Sequence, residues 1–390
     1  MNGSWLPPLL PFVNILSAAS RTETCIITHS VASACLRCSP FGTLVEVVDC
    51  RLVAISWALS YCVLSRGNTL KAILNALSID VEEYFQVTAF NGDVPYETWD
   101  SYEPRVHAAT ETVLSILAEY NTKATFFIVG WVARKHPGIV KAIQKEGHEI
   151  ACHGYAHREI SEQTPDTFRK DLRLARSILE GITGKPVRGY RAPTFSITEG
   201  TLWALDILIE EGFQYDSSVF PIRHDRYGMP KAERFPSVIR SSNGCELLEF
   251  PMSTVRLMGM NLPFAGGGYM RLLPLGFISR VIDRINRRGQ PVIVYVHPWE
   301  FDPDQPRMHA SPVTTFRHYH NISVMNTKFE RLLSTHNFAP VCEVLDRCER
   351  VASPLTAEAT REETANSLHD IGRSFRRRLP VPSVVTAPRD

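Results

Sequence analysis

Excess charge of either sign is nearly absent from this chain of 390 residues: 42 Lys and Arg stand against 41 Asp and Glu, a formal net charge of +1. That excludes the basic footprint by which a nucleic-acid binder first shows itself. Long apolar runs are missing too. No stretch reaches the roughly 18 uninterrupted apolar residues of a membrane span. The run from Leu52 to Leu64 is short and broken by Ser56, Ser60 and Tyr61. No lysine or arginine precedes Arg21, so the start lacks the charged leader of a secretory signal. Cysteine is present but not organised. Five of the nine (Cys25, Cys35, Cys38, Cys50 and Cys62) fall before Val63, and an odd number at irregular spacing does not make a secreted disulfide scaffold. Cys35 and Cys38 form a CxxC, but no second pair follows at zinc-finger spacing. What remains is a reduced globular protein with no nucleic-acid partner and no transmembrane segment, for which the cytoplasm is the default location.

The chain divides into three parts. Residues 1–72 hold no lysine before Lys71, are rich in Ser and Cys and carry no sustained helix or strand period. They are expected to be a poorly structured extension; a start codon assigned too far upstream would also produce it. Residues 73–350 alternate strand and helix signals. Segments 76–80, 124–130, 149–152, 187–190 and 292–296 read as strands, the last a continuous β-branched apolar run of the kind buried in parallel sheets. Pro137 and Thr164-Pro165 open helices that Gly147 and Gly184 close, and a further helix over 198–211 stops at Gly212. Repeated β-α units imply a parallel sheet or barrel with helices outside. From about residue 255 the pattern loosens. Gly266-Gly267-Gly268 is not GxGxxG and is expected to be a tight loop near the barrel mouth. Residues 351–390 turn polar and arginine-rich and end among prolines, as a disordered tail does.

Chemistry-bearing side chains stand at the ends of those strands. Asp80 and Glu82 are two apart and share a face. Two acids in an apolar stretch are costly unless paired or ligating, although a solvated strand end reads the same way. His153 and His157, four apart just past a strand, can turn to one point, and imidazole suits zinc and similar divalent ions. An HxxxH is common by chance, but strand ends of β-α barrels are where sites form. Arg191 could hold a carboxylate bidentately or be a surface arginine before the Pro193 turn. Asp216 precedes Ser217 and Ser218, residue types equally at home in a turn. His297 directly follows the strand over 292–296, as an acid/base candidate or a hydrogen-bonded core histidine.

In this order (acid pair, HxxxH, Arg-x-Pro, Asp, strand-end His) the chain resembles the NodB-homology polysaccharide deacetylases, carbohydrate esterase family four, over about residues 77–299. It is similar in particular to the exosortase-associated bacterial branch through Asp80-Val81-Glu82-Glu83-Tyr84-Phe85, Gly266-Gly267-Gly268-Tyr269 and His297-Pro298-Trp299-Glu300, which extend the likeness to about Val344. The resemblance implies an α/β fold, a distorted (β/α)7 barrel of the glycoside hydrolase/deacetylase type, with one divalent metal, usually Zn2+. It implies hydrolysis of N-acetyl groups on the N-acetylated sugars of a polysaccharide, and association with exopolysaccharide assembly machinery. The family usually has two adjacent aspartates; Val81 stands in place of the second, so the carboxylate ligand is assigned to Glu82, with His153 and His157 as the other two. Asp80 matches the catalytic base, Arg191 the arginine that orients it, His297 the catalytic acid and Asp216 the partner of that acid. Thr194 stands where a tyrosine is usual, at the backbone N–H that helps hold the oxyanion, and Trp299 and Tyr155 are placed beside it as substrate contacts. A tryptophan frequent after the family's Asp motif is missing near Asp216.

Two other readings stay open. One is a hydrolase of small linear or cyclic amides on the same fold. A closed pocket would favour it, whereas an open groove lined by aromatics such as Tyr84, Phe85, Trp131 and Trp299 would favour a polymer. The other is a non-catalytic sugar-binding or exopolysaccharide-assembly protein.

Overall fold

The computed structural model describes residues 73–352, apart from 91, 225 and 241–243. The expected extension over 1–72, with Cys35 and Cys38, lies outside the described residues, as does the expected tail beyond Ala352.

The frame is a nine-stranded sheet and a separate two-stranded ribbon. The sheet holds β1 (Asn75–Val81), β2 (Thr125–Ile128), β3 (Glu149–Cys152), β4 (Gly189–Tyr190), β5 (Tyr215–Asp216), β6 (Ser237–Arg240) and β7 (Glu246–Glu249), joined by β10 (Ile293–Val296) and β11 (Phe338–Ala339). The ribbon is β8 (Thr254–Leu257) with β9 (Met260–Pro263). Strands run in the order β10-β1-β2-β3-β4-β5-β7-β6, with β11 also beside β1. Pairings from β10 through β7 are parallel, and β6 alone lies antiparallel, against β7. Beyond β7 the way back to β10 is bridged by irregular chain. The Ile293 N–H donates to Ser253 Oγ at 2.8 Å, the Tyr295 N–H to the Ala265 carbonyl at 3.1 Å, and Gly266 makes a single parallel bridge to Tyr295. The expected barrel is thus a curled half-barrel sheet of eight parallel strands, β11 included, whose open side is laced rather than hydrogen-bonded strand to strand.

Helices cover the outer face. They are α1 (Val106–Glu119), α2 (Gly130–Lys135), α3 (Pro137–Lys145), α4 (Pro165–Thr183), α5 (Trp203–Glu210), α6 (Gly267–Leu272), α7 (Leu275–Asn286), α8 (Pro312–Tyr319), α9 (Met325–Leu333) and α10 (Val341–Ala352). The sequence explains α4 in detail. The Thr164 side chain accepts from the Thr167 N–H, Pro165 occupies the first turn, and Gly184 at φ 65° ends the helix. Its buried stripe, Phe168, Leu172, Ala175 and Leu179, recurs every three or four residues. Each large member of that stripe contributes roughly 1.5–3 kcal/mol by leaving water. The helix expected over 198–211 begins only at Trp203, because Thr198 and Thr201 close a turn of their own, the Thr198 N–H donating to Thr201 Oγ1 at 2.8 Å.

The two faces of each strand belong to different layers. Leu77, Ile79, Val81, Phe126, Ile128, Val294 and Val296 pack under the helices. Ala76, Phe127, Ala151, Tyr215, Ile293 and Tyr295 fill the concave inner face. This period of two decides which strand-end residues meet. Asp80, His153, Arg191 and His297 all continue inner-face rows at the carboxyl ends of parallel strands, where sites form in such sheets.

Candidate functional site

A cavity of about 290 Å³ opens over those strand ends, and Asp80, Glu82, His153, His157, Thr194, His297 and Trp299 are all on its wall. Within it Glu82, His153 and His157 are buried and present donor atoms that lie within 4.8 Å of one another. Glu82 Oε2 is 2.6 Å from His157 Nε2, and Glu82 Oε1 accepts from Trp299 Nε1 at 3.1 Å. Burial pushes the Glu82 carboxyl up, but His157, His297 and His153 around it outweigh burial and hold it well below the usual carboxylate range. Burial drives the His153 imidazole down to about 4, so it is neutral at neutral pH. Its Nδ1 lies 2.7 Å from the Arg191 carbonyl, which fixes that nitrogen as the donor and turns the Nε2 lone pair toward the cavity. The His157 Nδ1 is buried with no hydrogen-bond partner among the described residues.

The turn that carries both histidines needs an unusual backbone. Gly154 has φ 69° and His157 φ 49°. Asp171 of α4 ties the turn down by accepting the Tyr155 N–H at 2.7 Å and the Ala156 N–H at 3.3 Å. The reversal at Gly154 sends Tyr155 the other way, so its ring packs beside Gly130, a position where a Cβ would meet it at 2.9 Å. Tyr155 is therefore not part of the cavity wall expected of it.

Arg191 is fully buried and organises the floor. Its guanidinium donates to Asp80 Oδ1 at 2.6 Å, Ser78 Oγ at 2.8 Å, and the Ser217 carbonyl and Oγ at 3.0 Å each, and it lies 4.1 Å over the Phe127 ring. One arginine thus fixes a carboxylate with its side chain and a candidate ligand histidine with its carbonyl. Thr194 sits on the cavity wall in a left-handed conformation, φ 58°, its hydroxyl 2.5 Å from that of Thr88.

His297 has a different partner from the one expected. Glu300 Oε2 accepts the His297 backbone N–H at 3.0 Å and lies 3.3 Å from its Nδ1. The His297 Nε2 faces Asp80 at 4.0 Å and Glu82 at 3.8 Å. Burial alone would lower this imidazole, but the Glu300 hydrogen bond and the charges of Glu82, Glu300 and Asp80 push it up to about 9. Glu300 is in turn held by the buried Arg271 at 3.1 Å, which also donates to the carbonyls of Arg317, His318 and His320. Asp216, expected as the partner of His297, makes no described contact with it. Tyr215 belongs to the inner face, so its neighbour Asp216 turns outward. There it accepts from Ser218 Oγ at 2.5 Å and pairs in register with Glu249 of β7. Burial pushes both of these carboxyls up, Glu249 further because Asp216 stands beside it.

Of the aromatics expected along a groove, Trp299 lines the cavity, stacked between His297 (5.1 Å) and His318 (4.2 Å). Tyr84, Phe85 and Trp131 are buried in the core beneath the helices. The expected tight loop at Gly266-Gly267-Gly268 is instead a strand bridge leading into α6, and a Cβ at Gly267 would overlap the Glu300 carboxylate. Glu300, Arg271 and Asp171 escaped the sequence reading. Glu300 carried a legible signal, an acid three residues after the residue that caps a short helix, the spacing of a capping box. Arg271 and Asp171 are brought in by tertiary packing and carried none.

Such a site can bind a divalent cation, hold a carboxylate ready to accept a proton and keep a histidine ready to give one. Residues 90–208 match the family model described as polysaccharide deacetylase, and residues 217–346 match a second one described as a domain of unknown function, DUF3473. The chain is similar to the peptidoglycan-N-acetylglucosamine deacetylase of Bacillus cereus, 37% identical over 98 residues, covering 25% of this chain and 36% of that one. It is also similar to the chitooligosaccharide deacetylase of Azorhizobium caulinodans, 33% identical over 87 residues, covering 22% of this chain and 41% of that one. The matched segments therefore span less than half the length of either relative. Among solved structures it is similar to one described as a polysaccharide deacetylase from Mycobacterium smegmatis (TM-score 0.49, 19% identity, 73% of this chain and 93% of that one). Another is the Puue allantoinase (TM-score 0.47, 15% identity, 72% and 91%).

Proposed function

The chain belongs to the polysaccharide deacetylase family, and from that premise we propose that it is a metal-dependent hydrolase removing N-acetyl groups from the N-acetylated sugars of a polysaccharide. The observation that carries this reading is the convergence, in one cavity, of the Glu82, His153 and His157 donors with an arginine-held carboxylate and a carboxylate-held histidine.

The three donors fit a cation. One carboxylate and two imidazoles make a three-ligand set suited to catalytic zinc, and His153 has its second nitrogen fixed as such ligands do. Zinc is the metal we assign. When bound there, it supplies Lewis-acid polarisation of the acetamide carbonyl and of the attacking water. Asp80 takes the proton from that water. Arg191, itself steadied by Ser78 Oγ, holds the acid from one side, and its other oxygen, Oδ2, faces the cavity and His297. The developing oxyanion meets the Thr194 N–H at the cavity wall. His297 gives its proton to the nitrogen as the carbon–nitrogen bond breaks, since an unprotonated amine leaves poorly. Glu300 takes the orienting role that Asp216 cannot. The products are acetate and a free amino sugar, with Trp299 as part of the cavity wall.

The test is acetate release from N-acetylglucosamine oligomers by the full chain, with zinc and with chelator, beside Asp80→Asn and His157→Ala. Zinc-dependent release that falls by on the order of 10² to 10⁴ in Asp80→Asn is expected. A folded, zinc-loaded chain that leaves every N-acetylated oligomer intact yet hydrolyses small cyclic amides would sink the proposal.

A further inference from the structure

The ribbon β8–β9 has an apolar face that the fold uses only at Val255, which packs against the core. Its register sets Val255 opposite Leu262 and Leu257 opposite Met260 on one face, with Arg256 opposite Asn261 on the other. The second face is anchored. Asn261 Nδ2 donates to the Pro221 carbonyl at 2.8 Å, and Arg234 donates to Thr254 Oγ1 at 3.0 Å and to its carbonyl at 2.5 Å. Beyond Val255 the first face is left out in solvent. Leu257 is 54% exposed, Met260 61%, Leu262 36%, and Met258 at the tip 90%.

The turn itself is costly for what it carries. Met258 has φ 49° and Gly259 φ 80°, the left-handed pair of a hairpin turn whose first place suits Asn or Asp. A methionine there gains nothing from the folded chain, since it touches water. Between Glu249 and Asp283 the sequence has no aspartate or glutamate, and Arg256 on the ribbon is exposed. Burial first, and then the charges of Arg256 and Arg288, lower the Arg234 guanidinium. Arg223 is exposed on the segment that follows Pro221, while Arg226 there is paired with Glu159 at 2.6 Å.

We propose that the β8–β9 ribbon is a wedge that seats the protein on an anionic lipid surface, with Leu257, Met258 and Met260 entering the interface and Arg256 with its neighbours meeting the headgroups. A narrow projection of unbranched and γ-branched side chains with a basic surround needs no complementary pocket in a bilayer. A protein partner would have to supply one. No helix among the described residues is long and apolar enough to cross a membrane. The ribbon's roots also touch the cavity wall. Pro221 leads to His224, and Pro263 leads to Ala265 and Gly266 against Tyr295, so docking would set the cavity mouth beside the interface.

The test is independent of the hydrolase reading, because it reads lipid binding and not acetate. The full chain is sedimented with vesicles of phosphatidylcholine alone and of phosphatidylcholine with phosphatidylglycerol, beside Met258→Asp/Met260→Asp and Arg256→Gln. These side chains are exposed, so melting temperatures stay unchanged. Binding to the anionic vesicles is expected, at least about tenfold weaker in the double variant and roughly fivefold weaker in Arg256→Gln. A full chain that ignores anionic vesicles overturns the proposal, as does binding that both variants leave intact. Light scattering that shows the ribbon variants turning a dimer into a monomer, without any vesicle binding, assigns the face to a second copy of this chain instead.

Discussion

Glu300 holds His297 at two points, the backbone N–H and Nδ1, and Arg271 holds Glu300. The imidazolium is favoured because a carboxylate faces it, so His297 keeps its proton until about pH 9. Removing that charge with Glu300→Gln favours the neutral ring, and the alkaline limb of kcat/KM should move to lower pH by on the order of one unit. kcat should fall at least about tenfold. Gly267→Ala, which drives a methyl into the same carboxylate, should move the limb the same way. An unmoved limb in both variants would make Glu300 a structural residue only. The sequence showed which strand ends carry polar side chains, and Asp80, Glu82, His153, His157, Arg191 and His297 do come together. It could not show that Asp216 turns outward, because that depends on which face Tyr215 takes in a strand of two residues, too short to reveal a period.

The turn into β3 contains a histidine that serves the sheet. His148 Nδ1 accepts the Ala124 N–H at 3.2 Å and its ring lies 4.9 Å from that of Phe126. Burial pushes it down to about 4, from an ordinary 6.5. The unfolded chain takes up this proton below about pH 6.5 and the folded chain only near pH 4, so this residue's contribution to stability is full above 6.5 and lost as pH falls to about 4. His148→Asn keeps an acceptor but does not titrate, and its melting temperature should fall less steeply over that window than that of the unaltered chain. Parallel slopes would remove His148 from the acid response. Elements of this kind, strands with β-branched runs and helices with Pro and Gly ends, were legible because local chemistry determines them. The β8–β9 ribbon was not, since its turn carries Met258 where a hairpin usually shows Asn or Asp. The Gly266-Gly267-Gly268 run was misread as a loop because its glycines answer to Tyr295 and Glu300, which are distant in sequence.

Over the whole molecule, the proposed cation would tie together segments that follow different strands. Glu82 follows β1, while His153 and His157 follow β3, with β2 between them. A ligand set that exists only in the folded chain converts binding into stability, by roughly 2.7 kcal/mol at a free metal concentration a hundred times its Kd. In a domain of this size that raises Tm by roughly 5–10 °C. Zinc should therefore raise the melting temperature of the full chain, and chelator should reverse the rise. His157→Ala should lose the increment, because one of three ligands is gone. Asp80→Asn should keep it while losing acetate release, because Asp80 is held by Arg191 and is not one of the three donors. That pair of variants separates the metal site from the base beside it. An increment lost equally in both would mean that Asp80 ligates, and that the division of labour between Asp80 and Glu82 is wrong even if the reaction is right.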